Sequence, residues 1–228
     1  MKFRWSPAPP QPLLAEKLAA QLKISPLLAQ CLLNRGHSEP AAIENFLQPR
    51  LKNLADPFLL PNMAAAVERL LRAHAEKEPL VIFGDYDVDG ATSSALLHRF
   101  LRAIGADVVV YIPDRMKEGY GPNAPALLKL RAEGAAVAIT VDCGIVAFAP
   151  LAEAKAAGLD VVVIDHHKAE PALPEAAAVV NPNRLDDSSN LGHLAAVGVA
   201  FLLIVAVNRG LRARGWYEAT RPEPDLKQ

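Results

Sequence analysis

Cysteine is scarce in this chain, with only Cys31 and Cys143 in 228 residues. That excludes a disulfide-built scaffold, and neither residue has the Cys-x-x-Cys or Cys/His spacing that holds zinc. The pair points to a reducing, cytoplasmic setting, where Cys143 beside Asp142 reads as a small buried hydrophobe. An excess of one charge is also missing. Twenty-four Lys and Arg against 25 Asp and Glu leave a net charge of −1. No global field draws in nucleic acid, so a polyanion would have to be held by local Lys/Arg or by bound metal. The longest apolar run, Leu194 to Val207, has 14 residues, too few to span a bilayer. It reads as a buried helix, and no membrane partner is expected. The amino terminus has no signal-peptide core, because Met1 leads into Pro7, Pro9, Pro10 and Pro12.

What is present is apolar mass, 51% of the chain, enough for a large core in one or two domains. The sequence divides near residue 60. Residues 1–60 comprise a Pro-rich arm over the first twelve positions and then short helices, with Ser25-Pro26 and Ser38-Glu39-Pro40 at helix starts. Residues 61–228 alternate helix and strand. Helices are predicted over 62–75, 91–104, 123–132 and 147–157. Each precedes a strand, over 80–83, 107–112, 136–141 and 160–164 respectively. A short strand at 178–180 precedes the final helix. The strands are rich in Val and Ile without polar alternation, as in parallel strands covered on both faces. The fold class is therefore α/β: a doubly wound, mainly parallel sheet with a small helical amino-terminal region.

The run Asp85-Tyr86-Asp87-Val88-Asp89-Gly90 follows the strand Leu80–Phe83 directly. Carboxylates this close repel one another unless a cation or strong donors compensate. Asp142 follows a second strand, and Asp165-His166-His167 a third. Ligands in such sheets bind outside the carboxyl ends of the strands, where all three clusters fall. If the first run is extended, Asp85, Asp87 and Asp89 project to one side; Asp142 bridges and His166 adds a nitrogen. Oxygen and imidazole ligands together suit manganese, magnesium or zinc, and so many carboxylates suit two ions activating water for attack on a phosphoryl group. His167 is then free to contact phosphate or act as an acid. Two other patterns fail. An EF-hand needs Glu where Leu96 stands, and a haloacid-dehalogenase-like phosphatase needs Thr where Ala91 stands. Arg115, Lys117 and Tyr120 lie in a Gly-flanked loop at the same edge, suited to phosphate contact and base stacking.

Asp85-Tyr86-Asp87-Val88-Asp89-Gly90-Ala91-Thr92-Ser93, Val141-Asp142-Cys143-Gly144 and Asp165-His166-His167 together resemble the DHH phosphoesterase family, named for that last triplet. More narrowly they resemble its RecJ-type, single-strand-specific 5′-to-3′ DNA exonucleases. Glu118 to Asn123, Val180-Asn181-Pro182-Asn183-Arg184, Ala196 to Phe201, and Phe46 through Met63 extend the likeness over nearly the whole chain. The resemblance implies two Mn²⁺ or Mg²⁺ ions held by Asp85, Asp87, Asp89, Asp142 and His166. It implies catalytic His167 and Asp165, with His167 at the scissile phosphate. Substrate contacts fall to Arg115, Tyr120, Asn123, Asn183 and Arg184. Single-stranded DNA is the implied substrate, in cytoplasmic recombination and repair, with a single-strand-binding protein and a helicase as partners. Members of this branch continue with a Gly-Thr-Ile/Val-Ala-Asp segment and further domains, so the expectation is an amino-terminal fragment that cleaves slowly by itself. Two alternatives remain open. One is a DHH phosphoesterase for nano-RNA or pyrophosphate, although those begin their first motif with His. The other is a non-catalytic replication scaffold, although such scaffolds have lost much of the metal constellation that is visible here.

Overall fold

A computed structural model of the chain describes Arg4 and residues 6–226. Met1–Phe3 and Trp5 of the Pro-rich arm, and Lys227–Gln228, lie outside the described residues. Two compact units divide at Ala55/Asp56, slightly before the boundary expected at residue 60. The first holds three short helices, α1 (Pro12–Leu22), α2 (Pro26–Asn34) and α3 (Pro40–Leu47). Each has Pro in its first turn, where a missing N–H costs nothing. Ser25 caps α2 by accepting from Leu28 N at 3.2 Å. Ala15, Leu18, Ala29, Leu32 and Ile43 give this unit a small core of its own.

The second unit is built on five strands: β1 (Leu80–Gly84), β2 (Val108–Tyr111), β3 (Val137–Val141), β4 (Asp160–Ile164) and β5 (Ala178–Val180). They run in the order β2-β1-β3-β4-β5, and every pairing is parallel. The helices are α4 (Met63–Glu76), α5 (Val88–Ala103), α6 (Arg115–Glu118), α7 (Ala124–Ala132), α8 (Phe148–Ala156) and α9 (Ala196–Ala213). Alternate strand residues serve opposite faces, which explains the unbroken apolar runs. Leu80, Ile82, Ile139, Val162 and Ile164 pack with α4, α5 and α9, while Val81, Phe83, Ala138, Val161 and Val163 pack with α7 and α8. By length and composition α9 could cross a membrane. Its buried Val199, Leu202, Leu203, Ala206 and Val207 instead join the core, as expected of the apolar run.

The chain leaves β1 for β2 on one side and crosses to β3 on the other, so the carboxyl ends of β1 and β3 flank a topological switch point. One expectation fails here. The acidic run is not extended, because α5 begins at Val88 rather than Ala91. Asp87 initiates it by accepting from Asp89 N at 2.9 Å and Gly90 N at 3.1 Å, a cap that competes successfully with extended backbone. The expected loop over Arg115–Glu118 is likewise a helical turn, capped by Asp114.

The turn from β1 into α5 leaves no room for a side chain at residue 90. A Cβ there would sit 2.4 Å from the backbone oxygen of Asp85. Gly90→Ala should therefore lower the melting temperature although alanine is the better helix former. Unchanged or higher thermal stability by circular dichroism would contradict this close approach.

Candidate metal centre

Asp85 follows the last residue of β1, and its side chain is buried with Oδ1 lacking any hydrogen-bond partner. An orphaned buried carboxylate oxygen is costly unless something positive completes it. Burial pushes its proton affinity up and the charge of Asp87 adds to this, against the pull of Arg115 and His167. Asp142 follows β3 and is 2% exposed. Its backbone is left-handed, φ 61°, a conformation that Asp tolerates better than most residues. Desolvation, with the charges of Asp89 and Asp87, raises its pKa to about 7. Asp87 moves the other way, held low by the N–H of Gly90 and by a hydrogen bond from Asp142.

The third edge is the turn after β4. Asp165 is wholly buried and acts as the hub of this turn. One oxygen accepts from Ile145 N at 3.0 Å; the other accepts from His166 N at 2.7 Å, His167 N at 3.1 Å and the His167 ring Nδ1 at 2.7 Å. Burial alone would raise its pKa, but these donors outweigh it and hold the carboxylate ionised. The same bond raises the pKa of His167 against the effect of burial. His166 Nδ1 lies 3.1 Å from the carbonyl of Leu194, which can only accept, so Nδ1 carries a proton and Nε2 is the nitrogen turned toward the carboxylates. Nε2 faces Asp142 at 3.2 Å and Asp89 at 3.5 Å. A lone pair against two carboxylates is repulsive without a proton or cation between them.

These groups form two clusters that could hold a cation and that share Asp142: Asp85, Asp87 and Asp142 in one, and Asp142, His166 and His167 in the other. Asp89 does not join the first cluster. It turns to α9, where its oxygens accept from Ala196 N at 2.7 Å and Val197 N at 2.9 Å, beside His166. The candidate contact residues divide. Arg115 stacks over the ring of Tyr86 at 4.5 Å, next to Asp85. The Tyr120 hydroxyl donates to the Asp142 carbonyl at 3.3 Å, and its ring meets His167 edge-on. Asn123 caps α7 through Ala126 N at 2.9 Å. Arg184 is buried away from the cluster and engages Asp186, Asn62 and the Val179 carbonyl. Asn183 bonds the His166 carbonyl rather than facing open space. The sequence reading overlooked Tyr86 and Asn181. The Asn-Pro-Asn spacing after β5 was a turn signal that could have drawn attention to Asn181. The Ile145 amide and Leu194 carbonyl had no sequence signal. A cavity of about 670 Å³, lined by Leu71, His74, Ile104 and Trp216 among others, shares no residue with either cluster.

The model of the DHH family, N-terminal domain, matches residues 79–225. The single-stranded-DNA-specific exonuclease RecJ of Bacillus subtilis is 39% identical over 90% of this chain and 26% of its own length. The protein of that name from Salmonella typhimurium is 37% identical over 88% of this chain and 34% of its own. The chain thus spans about a quarter to a third of the curated relatives it matches. A crystal structure of RecJ with Mn²⁺ from Thermus thermophilus superposes with a TM-score of 0.68. It is 30% identical and is matched over 89% of this chain and 28% of that one.

The raised pKa of Asp142 has a definite sign. Its folded-state value of about 7 lies above the 3.8 of an ordinary aspartate, so ionisation costs the metal-free fold stability as pH rises from about 4 to 7 and by a constant amount above. With chelator present, Asp142→Asn should gain stability over wild type across that interval and keep a fixed advantage above it. A pH-independent difference in denaturant midpoints would contradict the burial and charge argument.

Proposed function

Because the chain belongs to the DHH family, we propose that its carboxylate-histidine edge binds Mn²⁺ or Mg²⁺ and hydrolyses phosphodiester bonds of single-stranded DNA from the 5′ end. The observation that carries the reading is the pair of donor clusters meeting at Asp142. Asp85, Asp87 and Asp142 would hold one ion; Asp142 and His166 would hold a second, with Asp89 alongside. Two bound divalent ions would lower the pKa of water and offset charge developing on the phosphoryl group. The chain's own residues do the rest. Asp165 fixes the His167 ring through Nδ1 and favours its protonated form, in which Nε2–H would donate to the phosphate. Being fully buried, Asp165 positions and does not touch substrate. Arg115 over Tyr86 offers a cation and an exposed aromatic face beside the cluster, which favours a strand with bases over pyrophosphate. The same reading places the activity in cytoplasmic recombination and repair, beside a single-strand-binding protein and a helicase.

Mn²⁺ should raise the melting temperature of wild type and not of Asp142→Ala; equal responses would reject the metal assignment. In the protein carrying this chain, His167→Ala should keep the Mn²⁺ response while cleavage of 5′-labelled single-stranded DNA falls by about 10²–10⁴-fold. Retained cleavage would remove His167 from the reaction. Arg115→Ala should weaken single-stranded DNA binding more at low than at high salt, and a salt-independent loss would return Arg115 to a packing role.

A further inference from the structure

The segment that follows β5 holds the two histidines from behind. Asn181 is completely buried. Its Nδ2 donates to the carbonyl of His167 at 2.9 Å, and its Oδ1 accepts the amide of Asn183 at 2.7 Å. Asn183 in turn sends Nδ2 to the carbonyl of His166 at 2.5 Å and to that of Gly192 at 3.4 Å. The chain then returns to offer the Leu194 carbonyl to His166 Nδ1. Two interlocked carboxamides thus fix two successive peptide planes, and the same segment fixes the tautomer of the first ring. Gly192 is part of the fit, because a Cβ there would sit 2.7 Å from Asn183 Oδ1.

We infer that Asn181 and Asn183 are positioning residues for the candidate metal centre. They set the direction of His166 Nε2 and His167 through the backbone, without being ligands themselves. The inference rests on the metal reading above. Neither carboxamide has a hydrogen bond to Asp85, Asp87, Asp89 or Asp142. Water can satisfy a loop carbonyl, so two side-chain donors aimed at adjacent carbonyls do more than fill hydrogen-bond capacity. They remove the freedom of those peptides to rotate. A ligand whose ring is free to turn binds a metal more weakly, and loss of such outer contacts lowers metal affinity by about 10–100-fold.

The test is Mn²⁺ titration calorimetry on the chain itself with Asn183→Asp, Asn183→Ala and Gly192→Ala. Asn183→Asp keeps the shape, removes the donor and adds a negative charge that would by itself attract a cation. Weaker binding in it cannot therefore be a charge effect. All three should bind Mn²⁺ about 10–100-fold more weakly than wild type, while circular dichroism with chelator shows them folded. Gly192→Ala deletes no polar group, so it keeps the test open should either Asn183 variant fail to fold. Wild-type affinity in the folded variants would overturn the inference. If wild type and Asp142→Ala both fail to bind Mn²⁺, the metal reading itself fails. Nitrogen NMR of the metal-free protein then decides the clamp separately. Asn183→Asp should lose the single Nδ1–H tautomer of His166, and an unchanged tautomer would overturn the positioning role.

Discussion

Crowding of negative charge at one edge of the sheet governs the site. Asp142 is buried between Asp87 on one side and Asp89 with His166 on the other, and among the described residues no Lys or Arg forms a salt bridge with it. Electrostatic repulsion of this kind in a desolvated setting destabilises the fold until a proton or cation enters. The neighbouring geometry is consistent with that demand. Asp85 keeps an oxygen without a partner, His166 turns Nε2 inward, and Asp142, on a left-handed backbone, lies within reach of both groups.

The surrounding carboxylates show how one residue type serves different ends. Asp87 caps α5 and Asp89 meets the first amides of α9, so helix N-termini moderate part of the negative charge. Asp165, on the adjoining turn, is saturated by four donors and remains ionised without any ion. It organises the histidines rather than competing with them. The apolar sheet makes these roles separable, because it holds each turn at the end of a rigid strand.

Much of this was legible in the sequence. Unbroken Val/Ile runs at β1, β3 and β4 specify strands buried on both faces, and strand ends bearing Asp85, Asp142 and Asp165 predict one edge. Conformation within the acidic run was not legible. Alternate spacing of Asp85, Asp87 and Asp89 fits an extended segment, and only the cap at Asp87 turns it into a helix start. Nor could spacing separate Asn183 and Arg184, adjacent in sequence. One reaches the back of His166, while the other is taken up by Asp186 and Val179.

The sequence by itself determined the strand–helix alternation, the parallel sheet and the identity of the candidate ligands, because these depend on local apolar pattern and on residue chemistry. Tertiary structure decided which carboxylates share a cluster, which ring nitrogen faces inward and which polar residues act from behind. Those depend on contacts such as Leu194 with His166, 28 residues apart, and Asp89 with Val197, 108 residues apart. Backbone groups carry half of each such contact, and a backbone amide or carbonyl is the same in every residue, so only the folded chain can say which one is in reach.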